Sequence, residues 1–265
     1  MSDVAGPWAV IAGGSEGIGE AFAKELASRG INLVLIARTI TTLAAVAEDV
    51  RSSYPAIEVR IMSVDLSSLD AVDMIADQTS ALEVGTLVYN VGSETDYADF
   101  LDHSREAINS RLIRNVNTKV GLVHHFGGLM RTRRKGSIVL MGSVSGYNGA
   151  PGFALYAASK ALSRYFTEGI WYEFKQDNVN VLCPVVGPTD TPTMRRAYGE
   201  FKTKPTDPAY VARASLDQIA NGPIWISEDM RERIANVDAM APGERATAAA
   251  ARGAAFANKN PTAVA

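Results

Sequence analysis

Tyr156 and Lys160 stand four residues apart in the stretch "YAASK". Residues at i and i+4 share one face of a helix, so the amine projects beside the phenol. A phenol has a reference pKa of about 10 and is a poor base at neutral pH unless its anion is favoured. A neighbouring cation favours it through space, which turns the pair into a proton donor and acceptor. The residues between, "AAS", are small and leave open space for a substrate and a cofactor ring. Ser143 ends the run "LMGS" ahead of this segment, and its hydroxyl is suited to hydrogen-bond the carbonyl oxygen that the phenol protonates. Y-x-x-x-K alone is also the pattern of a surface pair. Ser143 on the preceding strand end and a glycine loop near the start of the chain favour chemistry.

That loop is "AGGSEGIG", with Gly13, Gly17 and Gly19 in a G-x-x-x-G-x-G spacing between a β-like run and a helical one. Glycine there permits a tight turn and lets backbone N–H groups, Ser15 and Ile18 among their residues, approach a pyrophosphate at a helix N-terminus. About 20 residues on, an acid would bind a ribose 2′-hydroxyl and a base would accept a 2′-phosphate. The second strand ends "IARTI", with Arg38 and no acid, so NADP is expected over NAD. Glu16, inside the glycine loop, carries a charge that opposes the same phosphate. Asp65 in "SVDL" is placed to accept from an adenine amino group with Leu66 packing nearby, although a plain surface Asp reads the same way.

The elements that position these residues are legible as alternating short β-branched runs and longer amphipathic segments. The runs "WAVIA", "NLVLIA", "IEVRIM", "TLVYN", "GSIVLMG", "NVNVLC" and "PIWIS" predict an α/β chain with one seven-stranded parallel sheet flanked by helices. The 265 residues, 47% of them hydrophobic, suit a single domain of this kind better than two. A catalytic domain is expected over residues 1–228, with a substrate lid at 192–222 in which Met194, Tyr198 and Phe201 face the substrate. An Ala-rich tail, a loose helix or partly disordered, is expected over 229–265, outside the sheet. A net charge of -3 and a pI near 5.7 argue against nucleic acid or an anionic membrane as principal partner. A small molecule is the expected partner, the cytoplasm the expected location, and no metal is expected from three histidines and one cysteine. The basic run "RTRRKG" reads as a helix C-terminus, and Cys183 as a small core residue.

Four motifs in order, "AGGSEGIG", "YNVG" at Tyr89 to Gly92, "GSV" at Gly142 to Val144 and "YAASK", give a strong resemblance to the short-chain dehydrogenase/reductase family over about residues 8 to 228. The resemblance implies a doubly wound Rossmann-type sheet, Tyr156 as general acid/base, Lys160 on the nicotinamide ribose and Ser143 on the substrate oxygen. It implies that Asn117, in "NVNTK", completes a proton relay through a water, and that Asn90 lies against the cofactor. Ala12 stands where the family usually has Thr, and Tyr89 where it often has Asn. "CPVVGPTDTPTM" replaces the usual Pro-Gly, which leaves Thr189 and Thr191 both candidates for the nicotinamide amide. "YNVG" and "GIGEAFAKELASRGINLVLIAR" are similar to the hydroxysteroid and 3-ketoacyl reductase branch. The implied activity is NADP-dependent interconversion of a carbonyl and a secondary alcohol on a bulky apolar substrate, in a homodimer or homotetramer. The rival from another class is a non-catalytic dinucleotide-binding sensor or scaffold. An intact acid/base set argues against that rival.

Overall fold

The computed structural model describes residues 4–93, 98–199 and 204–257. Its seven strands are β1 (Trp8–Ala12), β2 (Asn32–Ala37), β3 (Val59–Ser63), β4 (Val84–Tyr89), β5 (Gly136–Leu140), β6 (Val179–Val185) and β7 (Ile224–Ile226). The first helices are α1 (Gly17–Ser28), α2 (Ile40–Ser53), α3 (Ala71–Thr79), α4 (Arg105–Leu112) and α5 (Thr118–Arg133). They are followed by α6 (Ala154–Lys175), α7 (Pro192–Tyr198), α8 (Pro208–Asp217), α9 (Glu228–Asp238) and α10 (Pro242–Ala257). The strands lie in the order β3-β2-β1-β4-β5-β6-β7, every neighbour parallel.

A parallel sheet covered on both faces needs strands that are apolar at every position. β1, "WAVIA", is buried throughout. Its alternate side chains divide the core: Ala9 and Ile11 meet Phe22 and Leu26 of α1 and Leu43 of α2 on one face. Val10 and Ala12 meet Ile75 of α3 and Leu122 and Phe126 of α5 on the other. α1 closes at Gly30, whose positive φ of 78° suits a left-handed helix stop. The basic run at the end of α5 is structural: Arg131 and Arg134 pair with Asp177 at 3.0 and 3.5 Å, and Arg133 donates to the carbonyl of Val84 at 2.6 Å.

Two expectations about the C-terminal third need correction. The segment 192–222 is not one cover. α7 lies against the glycine loop, but α8 is a core helix, with Val211, Ala212 and Leu216 buried against the α1 face of the sheet. Proline and mixed charge made the whole stretch look mobile, whereas Asp207 caps α8 by accepting from the N–H of Ala209 at 2.9 Å and starts a well-packed helix. The described part of the tail forms α9 and α10 rather than a loose end. Ile234 and Val237 of α9 are buried, and Ile234 packs with Val144, Cys183 and Val185 beneath the turn that carries Ser143. The side chain of Tyr198 and the whole of Phe201 lie outside the described residues.

If α9 is part of the folded body, Ile234→Ala should destabilise the protein by about 2–5 kcal/mol, the usual cost of truncating a buried isoleucine. Urea unfolding of the two proteins measures this. A change under about 0.5 kcal/mol would mean that α9 is held only loosely.

Candidate active site

In an open parallel sheet the ligand crevice lies outside the carboxyl ends of the strands where the strand order reverses, here between β1 and β4. The glycine turn sits there. Gly13 and Gly17 take positive φ angles of 84° and 59°. A Cβ on Gly19 would lie 1.8 Å from the Gly13 carbonyl oxygen, a contact that admits glycine alone. Asn90, just past β4, donates from Nδ2 to the same carbonyl at 3.2 Å and ties the turn to the neighbouring strand. Glu16 takes the cap position of α1 but makes no side-chain cap bond. The first-turn N–H groups, those of Gly17, Ile18 and Gly19, are therefore left to a ligand, as the N-terminus of a phosphate-binding helix requires.

The second group of residues converges from the ends of β5 and α6. Ser143 follows β5 in extended conformation, and its Oγ accepts from the N–H of Ser145 at 3.2 Å. A one-turn helix, Val144–Tyr147, then presses Gly146 against the backbone of Lys160, where a Cβ would lie 2.8 Å from the Lys160 carbonyl carbon. Lys160 is buried, its Nζ donating to the carbonyl of Met141 at 3.0 Å and lying 5.6 Å from the centre of the Tyr156 ring. Burial pushes its pKa down to about 8; Cys183 opposes the fall and the charge of Arg114 adds to it. Cys183 itself is buried and its thiol is pushed up to about 12 by that burial, so it remains a neutral core residue. Phe153 meets Tyr156 edge-on at 6.3 Å between centroids. Tyr156 opens on a narrow hollow lined also by Phe100, His103, Arg111, Phe153 and Leu155. A roomier hollow of about 350 Å³ lies between α1 and α8, shares no residue with this one and is rimmed by Glu20, Glu25, Asp190 and Asp207. Its carboxylates suit neither an apolar substrate nor a phosphate.

The two asparagines of "NVN" are placed differently. α4 and α5 are joined by one π turn, Ile113–Asn117, a wide turn that rotates the residues after it relative to an α-helix. Asn117 is exposed there, whereas Asn115 is 3% exposed. A Cβ on Gly92, two residues past Asn90, would lie 2.7 Å from Asn115 Oδ1. Asn115 Oδ1 also accepts from Arg114 Nε at 3.2 Å, and the Tyr89 hydroxyl donates to the Arg114 carbonyl, fixing the turn from the strand side. Asn115, not Asn117, is the asparagine that the fold turns inward.

The sequence profile of the family described as "short chain dehydrogenase" matches residues 7–200. The chain belongs to the short-chain dehydrogenase family. It is 34% identical over 216 residues to the 7beta-hydroxysteroid dehydrogenase of Clostridium sardiniense, covering 79% of this chain and 77% of that one. It is 32% identical over 231 residues to a very-long-chain 3-oxoacyl-CoA reductase-like protein of Arabidopsis thaliana, covering 83% and 73%. A short-chain dehydrogenase from Sphingobium yanoikuyae, solved in complex with NADPH, superposes with a TM-score of 0.77 at 23% identity, covering 87% and 92%. This short-chain dehydrogenase is thus an NAD(P)-dependent oxidoreductase acting on CH–OH and carbonyl groups, and the reading as a non-catalytic scaffold is not favoured.

The remaining expected cofactor residues divide. Arg38 is exposed beyond β2, beside the crevice, with its own carbonyl accepting from Ser63 Oγ at 2.9 Å. Asp65 Oδ1 is taken by the N–H and hydroxyl of Ser67 at 3.0 and 2.7 Å. Burial acts against its charge, but those bonds and the field of Arg38 hold its carboxyl below the usual range. The Leu66 side chain is buried in the core next to Asp65, and its carbonyl accepts from Thr118 Oγ1 at 2.8 Å. Thr189 and Thr191 are both buried. Thr189 donates to the Gly187 carbonyl, and Thr191 caps α7 and packs on Gly17. Ser15 and Ile18 are half-buried in the glycine turn. Sequence reasoning missed what Glu16 does: its carboxylate accepts from Thr193 Oγ1 and from Arg196 at 2.6 Å, so α7 is tied to the glycine turn and the charge is balanced. Among the described residues no cluster of acids, histidines and cysteine is arranged for a metal, and no helix is long and apolar enough to cross a membrane.

Asn115→Ala should destabilise the protein by about 1–3 kcal/mol, the cost of removing a buried polar partner, whereas Asn117→Ala should leave stability unchanged and lower turnover by at least about tenfold if it serves the relay. Buried polar groups are far more sensitive to truncation than exposed ones, so the stability difference separates a structural asparagine from a functional one. Steady-state rates on one active substrate, with urea unfolding of both variants, decide between the two positions.

Proposed function

We propose that this enzyme interconverts a bulky apolar ketone and its secondary alcohol, with NADP(H) preferred over NAD(H). The observation that carries the substrate class is the apolar surface of Phe100, Phe153 and Leu155 beside Tyr156, with His103 and Arg111 at its edge; the hollow among them is only about 10 Å³, so a bulky substrate would lie over this surface rather than inside it. Burial against such a wall contributes roughly 25 cal/mol per Å², which rewards a large hydrocarbon skeleton and gives a small hydrophilic ketone little. The hydroxysteroid and long-chain acyl substrates named for the two relatives fit the same description.

The glycine turn fits a dinucleotide: the passage of Gly19 against the Gly13 carbonyl lets β1 turn at once into α1, and the N-terminus of α1, where Glu16 makes no side-chain cap bond, offers N–H groups to a pyrophosphate. When bound, the nicotinamide supplies or accepts the hydride. Gly13, Gly17, Ile18 and Gly19 would cradle the phosphates, Asn90 would brace the turn, and Lys160 would turn its amine from Met141 to the ribose hydroxyls. Ser143 would hold the substrate oxygen while Tyr156 protonates it, or accept its hydrogen bond while Tyr156 removes the proton. Asn117, the asparagine of the family motif, would hold the far end of the relay, and the buried Asn115 would brace the turn beneath it. For the 2′-phosphate, Arg38 is the forked donor at the right strand end, and the charge of Glu16 that would oppose it is neutralised by Arg196. Tyr165 and Tyr172, exposed and seven residues apart on α6, with exposed Leu129 on α5, support a homo-oligomer. The low net charge and small-molecule chemistry suit the cytoplasm.

The test is a panel of steroid, long-chain and small hydrophilic ketones with NADPH oxidation followed by absorbance. Equal rates on all three classes would count against the apolar surface. Tyr156→Phe should keep cofactor binding and lower turnover by about 10² to 10⁴, the usual worth of a general acid. Near wild-type turnover in that variant would remove Tyr156 from the role. Arg38→Ala should weaken NADPH binding roughly ten- to a hundredfold and leave NADH nearly unchanged, since one charge-assisted bond of about 1.5–3 kcal/mol is lost. Fluorescence titration of both cofactors at fixed salt checks this. Equal affinity of the wild type for both would overturn the NADP preference while leaving the oxidoreductase intact.

A further inference from the structure

Behind Lys160 lies a second lysine with no role in the chemistry above. Lys119, one residue into α5, is 2% exposed. Its Nζ donates to Ser163 Oγ on α6 at 2.6 Å and lies 5.9 Å from the centre of the Tyr89 ring on β4. The groups that face it are Lys160 from α6, Cys183 from β6 and Tyr89 from β4, while Arg114 of the π turn faces Lys160. It makes no ion pair with any described carboxylate. Buried amines are ordinarily paired or absent, because an isolated ammonium in an apolar interior is costly. A sealed amine beside a catalytic amine, without an acid between them, is therefore a charge that the site can hold or lose.

We propose that Lys119 is a positioning residue that sets the preference of the site between reduced and oxidised nicotinamide by placing or withholding a second charge beside Lys160. The inference rests on the reading that Lys160 faces the nicotinamide ribose. The oxidised ring is a cation and the reduced ring is neutral, so a protonated Lys119 penalises only the oxidised cofactor. Coupling is reciprocal: the oxidised cofactor must drive the proton off Lys119, and the reduced one need not. Burial, aided by the charge of Lys160 and opposed by Cys183, pushes Lys119 down to about 7, so the bias changes across neutral pH. Below that pH the site favours the reduced cofactor and hence ketone reduction; above it the bias disappears.

Dissociation constants of NADPH and NADP⁺ are to be measured at pH 6 and pH 8 for wild type, Lys119→Met and Ser163→Ala. The 2′-phosphate titrates near pH 6 in both cofactors and cancels in their ratio. In the wild type the NADP⁺/NADPH ratio of dissociation constants should rise at least about fivefold from pH 8 to pH 6, the lower end of ordinary coupling between sites. Lys119→Met, nearly isosteric and apolar, should remove at least half of that rise, the remainder coming from Lys160, which is pushed down to about 8 and titrates in both proteins. Ser163→Ala removes the acceptor that steadies the ammonium and should shift the change to lower pH. NMR titration of ¹³C-lysine-labelled protein needs neither cofactor nor turnover: one lysine should titrate near pH 7, vanish in Lys119→Met and move to higher pH in Lys160→Met. A ratio in Lys119→Met that follows the wild type overturns the proposal, as does a Lys119 midpoint above 9 or one unmoved in Lys160→Met. If the wild type binds neither nucleotide, the inference falls together with the cofactor reading, and an intact coupling between the two lysines in the NMR titration identifies the cofactor reading as the fault.

Discussion

The close passage of Gly19 under the Gly13 carbonyl governs the geometry of everything on the carboxyl edge of the sheet. β1 must turn within a few residues into a helix whose first N–H groups point out of the sheet, and any side chain at that crossing would push the two apart. Asn90 then binds the same Gly13 carbonyl from β4, so the turn, the first helix and the central strand form one rigid corner. Gly13 also donates to the Ile36 carbonyl at 2.7 Å, which extends the corner to β2 and fixes Arg38 two residues beyond. A ligand anchored at this corner has its far end delivered to a fixed place, and α6 is what stands there.

α6 carries the reactive side chains because it can be held close to β5 and β6. Gly146 lets the turn after Ser143 lie directly on the Lys160 backbone, so serine and lysine are set by one contact rather than by two independent elements. The cost is electrostatic. Lys160 and Lys119 crowd the interior around Cys183, and the protein relieves them with a carbonyl, a hydroxyl and aromatic faces instead of carboxylates, while Arg164 farther along α6 stacks on Tyr147 and pairs with Glu168 at 3.7 Å. An acid placed there would pair with Lys160 and take away the field that Tyr156 needs.

The strands were legible because buried parallel strands are written as continuous β-branched runs, and "WAVIA" and "NLVLIA" coincide with β1 and β2 to the residue. The glycine turn and the Ser143, Tyr156, Lys160 set were legible because their spacing has one structural solution. Asn115 was not. "NVN" places two asparagines about 200° apart on a regular helix, and which one faces inward depends on a π turn that leaves no mark in local sequence. Lys119 was hidden for the opposite reason, since a lysine in a polar helix reads as solvated. α8 was misjudged because its apolar stripe, Val211, Ala212 and Leu216, is short and follows a proline- and charge-rich approach. Glu16 read as a threat to the phosphate because its partner Arg196 is 180 residues away in the chain.

α9 gives the molecule a floor. Met230 sits under Gly187, where a Cβ would come within 2.5 Å of its sulfur, and Ile234 lies under Val144, so one amphipathic helix supports both the serine turn and the loop leading to Thr189. The helix also covers Cys183 and Val185 of β6, so the outer end of the sheet, the serine turn and the loop to Thr189 share one support. Any change in how α9 seats would therefore reach Ser143 through Val144, and the precision of the site extends to a helix that contributes no reactive group.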